Sequence, residues 1–141
     1  LKRIIPILLL IIGLCRCNIP VYMQEKELEG VWRTDSINNF VNGFSFTNNT
    51  FDEHWSTFEY GAGGILTERK REKHKTYHYK LPSRDSLVYA DSTGHQLSGF
   101  QILKLTDSQL ILKKAQKPYL PGKNQELFEV RFFTKIPSGA K

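Results

Sequence analysis

A chain of 141 residues has room for one domain and can bury roughly two thirds of its unfolded surface, enough for a real core. Its apolar fraction of 40% is ordinary, but aromatics reach 12%, and these side chains favour a pleated, half-buried surface. The formal net charge of +6 is local rather than general: Lys2 and Arg3 sit ahead of an apolar run, and most of the remaining excess lies in Arg69-Lys70-Arg71-Glu72-Lys73-His74-Lys75, which argues against a uniformly basic, nucleic-acid-type surface.

Residues 1–17 read as an export signal. Lys2 and Arg3 form the positive n-region and Ile4 to Leu14 an apolar h-region, too short to span a bilayer comfortably. Cys15 and Cys17 follow at once and are the chain's two cysteines. In this the segment resembles a bacterial lipoprotein signal, in which a cysteine just past the h-region carries the lipid. That resemblance implies lipid attachment at Cys15, with Cys17 as the alternative, and places the mature protein in the cell envelope, anchored on the periplasmic or outer-membrane side. Ordinary secretory cleavage nearby is the competing expectation. A disulfide between cysteines two apart would close a strained loop.

Residues 18–27 look like a tether, in which Glu25 to Glu29 can make one helical turn before Gly30 ends it. Gly30 to Ser36 then alternates as a first strand, with Val31, Arg33 and Asp35 on one face and Trp32, Thr34 and Ser36 on the other. Asn42-Gly43 and Asn48-Asn49 are candidate turns, because Asn and Gly tolerate positive φ. Between them Phe44 and Phe46 share a face. Thr50 to Tyr60 reads as a strand bulged near Ser56, and Gly61-Ala62-Gly63-Gly64 as a connection. Ile65 to Glu68 restarts the sheet, and the basic run to Lys75 is expected as an exposed loop.

Thr76 to Leu81 places Tyr77, Tyr79 and Leu81 together; Pro82 to Asp85 turns the chain, Ser86 to Ala90 returns, and Asp91-Ser92-Thr93-Gly94 turns again. His95 to Leu105 and Gln109 to Lys114 form a hairpin across Thr106-Asp107-Ser108, whose side-chain oxygens suit a turn. Ala115 to Gln125, with Pro118 and Pro121, is a loop. The last strand, Glu126 to Lys135, places Phe128, Val130 and Phe132 on one face, and a short polar tail occupies residues 137–141.

Eight or nine short strands in simple succession, with no helical pattern long enough to cover a sheet, predict an all-β antiparallel up-and-down meander over residues 28–136. Such a meander hides its edges by closing into a barrel of about eight strands, with a two-sheet sandwich as the alternative. The ordered pieces Gly30-Val31-Trp32, Tyr77-His78-Tyr79, Asp85-Ser86-Leu87-Val88 and Ile102 to Leu112 resemble the lipocalin-like domains of bacterial lipoproteins, especially those of Bacteroidetes. That resemblance implies a plug at one barrel end made by Gly30 and Trp32, with Arg131 as the cation over the Trp32 ring, and a small apolar ligand in the barrel mouth.

Motifs for catalysis are absent. His74 and His78 stand about 13 Å apart on a strand, too far to share an ion, and the adjacent Asp52, Glu53 and His54 point to alternate faces. Gly61 to Gly64 lacks the lysine and helix of a phosphate loop. The sequence therefore predicts no enzyme, no metal and no cofactor. The basic run reads as a solvated hairpin tip rather than a nucleic-acid site, and faces a membrane if the chain is anchored.

Phe44, Phe46, Trp55, Tyr77, Tyr79, Phe100 and Phe132 are the residues expected to point inward, either as plain core or as the lining of a ligand pocket. Two functions stay open. One is a lipocalin-like binding module holding a small apolar ligand; the other is a solid-barrel envelope protein acting on a protein partner through residues 68–75 and 115–125.

Overall fold

The structure, a computed structural model, describes residues 21–49, 55–122 and 124–139. The leader with Cys15 and Cys17, and Asp52, Glu53 and His54, lie outside the described residues. The described chain forms one helix, α1 (Val21–Leu28), and nine strands: β1 (Gly30–Val41), β2 (Phe44–Asn49), β3 (Thr57–Gly61), β4 (Ile65–Lys70), β5 (Lys73–Ser83), β6 (Ser86–Ala90), β7 (Gln96–Leu105), β8 (Gln109–Ala115) and β9 (Leu127–Ile136).

Each strand pairs antiparallel with its neighbour, and β1 closes the sheet on β9 from Val31↔Ile136 to Val41↔Leu127. Eight strands, β1 and β3 to β9, make a closed lipocalin-like barrel, and β2 is an additional strand. The sandwich does not form, because first and last strands satisfy each other's edges. β2 and β3 share one edge of β1 at successive heights: β2 takes Ser36 to Val41 and β3 takes Gly30 to Arg33. Beyond Arg33 that edge of β1 therefore passes to β2, whose own far edge is unpaired among the described residues.

Local chemistry explains the turns. Asn42 (φ 50°) and Gly43 (φ 87°) occupy the left-handed region that a two-residue hairpin needs. Asn48 and Asn49, expected as a second turn, instead lie in β2, because their pairing with Ile37 and Ser36 satisfies the backbone there. The basic run is also not a loop. β4 and β5 pair down to Lys70↔Lys73, leaving Arg71 and Glu72 as the turn, with Arg71 at φ 55°. Asp91 Oδ1 accepts from Thr93 N, Thr93 Oγ1 and His95 N, and the Thr93 hydroxyl bond leads in holding its carboxyl below the usual range. At the β7–β8 turn Thr106 Oγ1 accepts from Gln109 N at 3.0 Å.

The register fixes which side chains face inward, since directly paired residues share a face. Trp32 and Thr34 point in, but a bulge between Thr34 and Ser36 shifts the alternation, so Ser36 joins Phe132 on the outer face. On β9 the inward set is Glu129, Arg131 and Phe133, and Phe128, Val130 and Phe132 face out. Phe40 stacks on Phe128 at 4.5 Å on that outer side.

One end of the barrel is sealed. Leu28, at the end of α1, and Trp32 are both fully buried, and Trp32 Nε1 donates to Leu28 O at 2.7 Å. The segment expected as a tether is thus partly a helix packed under the barrel; Gln24 Nε2 also donates to Arg84 O in the β5–β6 turn. The cation over Trp32 is Lys135, at 5.0 Å from the ring, rather than Arg131, because Lys135 follows Phe133 on the inward face at this end. Lys135 Nζ also donates to Glu27 O at 2.9 Å, serving a carbonyl at the helix C-terminus. A Cβ on Gly30 (φ 127°) would meet Lys135 Cε at 2.6 Å, so only glycine fits under this lid.

Above the plug the axis is filled by Leu66, Leu87, Leu110, Leu112 and a ladder of rings. Tyr79 meets Tyr60 edge-on at 5.1 Å, Tyr60 meets Tyr89 at 6.3 Å, and Tyr89 meets Phe100 at 4.8 Å. Burial of each such side chain stabilises the fold by about 1.5–3 kcal/mol.

Candidate functional site

The core stops short of the other end, where the turns β1–β2, β4–β5 and β6–β7 and the loop after β8 lie. A cavity of about 230 Å³ opens there, lined by Phe58, Glu68, Tyr77, Tyr89, Leu97, Ser98, Phe100, Lys114 and Arg131. Alternation places these residues, except that Leu97 sits at the bulge between the Ser98 and Gln96 pairings. Phe58↔Glu68, Leu66↔Tyr77 and Leu112↔Arg131 are paired neighbours, so the same inward rows that build the core below become the pocket wall above.

The polar groups of this wall are arranged in three sets. Glu68 accepts from Ser56 Oγ at 2.7 Å and from Tyr77 OH at 3.1 Å, one bond to each carboxylate oxygen. Arg131 is joined to Glu129 (Nη2–Oε1 2.6 Å, Nε–Oε1 2.8 Å), and Gln116 Nε2 donates to the other Glu129 oxygen at 3.3 Å. Lys114, half-buried, donates to Ser98 Oγ at 3.2 Å and has no carboxylate partner among the described residues. Lys114 Nζ and the Arg131 guanidinium flank the Phe100 ring at 5.6 and 5.7 Å.

Beneath them the Tyr60 and Tyr89 hydroxyls are hydrogen-bonded to each other. Burial pushes both phenols well above their ordinary range. Tyr79, whose hydroxyl donates to Gly61 O at 2.9 Å, is pushed up to about 12, mainly by burial and further by Glu29 and Glu25. Tyr77 is raised by burial and by Glu68. A second, open cleft of about 740 Å³ adjoins across Glu68, against the inward face of the β4–β5 tip with Lys70, Arg71, Glu72, Lys73 and Lys75.

Of the seven residues expected to line a pocket, Tyr77 and Phe100 do so. Tyr79 belongs to the solid core. Phe44 and Phe46 are on the inward-facing side of their hairpin but project beyond the rim, 79% and 53% exposed. Phe132 is on the outer face, because β9 turns Phe133 inward instead. Trp55 is half-buried just before β3 and is not part of the pocket wall. Arg131, expected at the plug, is in the pocket. Lys114 was not singled out, although it follows Leu110 and Leu112 in the same inward row.

Among the described residues no group of three or more His, Cys, Asp or Glu side chains could hold a metal ion, and no helix is long and apolar enough to cross a membrane. Comparison with protein-family models, with curated proteins and with solved structures finds no match.

Proposed function

We propose that the protein is a non-enzymatic, exported, lipocalin-like binding module that holds a small molecule in the mouth of its barrel. The observation that carries this is the asymmetry of the interior: sealed by Leu28, Trp32 and Lys135 at one end, and hollow beside Phe58, Tyr77, Tyr89 and Phe100 at the other. Ligand pockets commonly occupy the mouths of barrels and combine aromatic walls with a few fixed polar groups. A leader lipidated at Cys15, or at Cys17, would join the domain just ahead of α1 at the sealed end, so that the mouth opens away from the membrane.

The test is binding of the neutral fluorophore N-phenyl-1-naphthylamine to the wild type and to Ser98→Trp, which fills the cavity. Saturable binding abolished by the substitution, with unchanged circular dichroism, is the expected result. Equal binding by both proteins, or by neither, would remove the pocket from the account.

A second function has its own support. Phe44, Phe46, Tyr119 and Leu120 are exposed apolar residues at the mouth end, and Asn42 and Glu126 exchange backbone and side-chain hydrogen bonds of 2.9 and 3.0 Å that tie the hairpin to the β8–β9 loop. That patch suits a protein partner engaged through the loops, as a solid-barrel envelope protein would use.

A further inference from the structure

The lipocalin resemblance implies an apolar ligand, but the pocket wall has a surplus of hydrogen-bond donors. Both oxygens of Glu68 already accept from hydroxyls, and both of Glu129 accept from Arg131 and Gln116. On the donor side, Lys114 carries three N–H groups and has one hydroxyl as its partner among the described residues. Two hydroxyls joined by one hydrogen bond use one hydrogen between them, so the Tyr60–Tyr89 pair has a second to give. Tyr89 is the member that reaches the pocket. Glu129, directly across from Lys114 on β9, is engaged by Arg131 and Gln116, so Lys114 keeps N–H groups with no acceptor among the described residues, and a ligand that supplies acceptors would satisfy them.

We propose that the pocket takes a monoanionic amphiphile, its carboxylate held between Lys114, the free side of the Arg131 guanidinium and the Tyr89 hydroxyl, with its apolar body against Phe58, Tyr77 and Phe100. This rests on the small-molecule function proposed above and adds the charge of the ligand. A single negative charge fits best because the acids stand close by. Glu68 on β4 faces β8 from the opposite side of an eight-stranded barrel and Glu129 sits beside Arg131, so each unit of negative charge on the ligand meets their repulsion, and the second unit of a dianion such as a phosphate monoester costs more desolvation than the first. The volume of about 230 Å³ suits a short chain or one ring system.

The experiment is calorimetric titration of the protein with four ligands sharing one C8 chain: octanoate, 1-octanol, octylamine and octyl phosphate, at a pH where the phosphate is a dianion. Octanoate should bind roughly tenfold or more tightly than octanol, as a charge-assisted hydrogen bond implies, with octylamine and octyl phosphate weaker than octanoate. Lys114→Met should remove about that tenfold advantage of octanoate over octanol, and Lys114→Arg should keep it. Octanol binding as tightly as octanoate, or a Lys114→Met variant that still prefers octanoate, would overturn the anion and leave the small-molecule pocket standing. Tighter octyl phosphate or octylamine would overturn the single negative charge. Failure of all four would overturn both the pocket and its charge.

Discussion

The two ends of the barrel are set by a few side chains whose substitution has a definite sign. Trp32→Ala should destabilise by about 3–5 kcal/mol in urea unfolding, the usual cost of emptying a fully buried aromatic site. It also strands Leu28 O and removes the ring beneath Lys135. Gly30→Ala should cost about 1–3 kcal/mol, because it combines a left-handed φ with the Lys135 contact. The buried phenols predict alkaline behaviour. Tyr60, Tyr79 and Tyr89 have folded pKa values above the unfolded value of about 10, so the folded state holds protons that the unfolded state releases. Their contribution to stability is complete below about pH 10 and is lost as pH rises through the folded values. A denaturation series read by circular dichroism should show stability falling above about pH 10.

At the scale of elements, the strands were legible because alternation and turn chemistry agree in most places. Asn42-Gly43, Thr106-Asp107-Ser108 and the proline-bearing loop after β8 fall where their residue types put them. The misplacements come from features with no local signature. The bulge between Thr34 and Ser36 reverses the faces of the rest of β1, and nothing in that stretch except its partner β9 requires it. α1 reads as one turn in isolation and gains its length from packing on the barrel end, where Leu28 is buried. Phe44 and Phe46 have the right parity and the wrong height, and parity says nothing of where the barrel wall ends. Deleting residues 21–28 should therefore lower the unfolding midpoint strongly, whereas Phe44→Ser with Phe46→Ser should leave it nearly unchanged, both read by urea titration; a large loss from the Phe pair would mean that the hairpin is packed.

For the whole molecule, closure by β1 on β9 converts an ordinary meander into a container with a floor and an opening. The sequence foretold the container from its strand count, while the site was half hidden, because the resemblance put Arg131 at the plug and the face of Lys114 follows only from the inward rows of β8 and β9. A helix at the sealed end, and three hairpin turns with the β8–β9 loop at the open end, give the barrel a direction, and a lipid on Cys15 would orient it. Mass spectrometry of the mature N-terminus should find a diacylated or triacylated cysteine at position 15 and lose it in Cys15→Ser; an unmodified terminus would contradict lipid attachment there.

The most direct measurement is a ¹H–¹⁵N correlation spectrum of the protein titrated with octanoate. Saturable shifts should cluster at Tyr77, Tyr89, Ser98, Phe100, Lys114 and Arg131, with Leu28, Trp32 and Lys135 at the sealed end unmoved. Shifts centred on the outer face around Phe40 and Phe128, or none at any concentration, would contradict a ligand held in the barrel mouth.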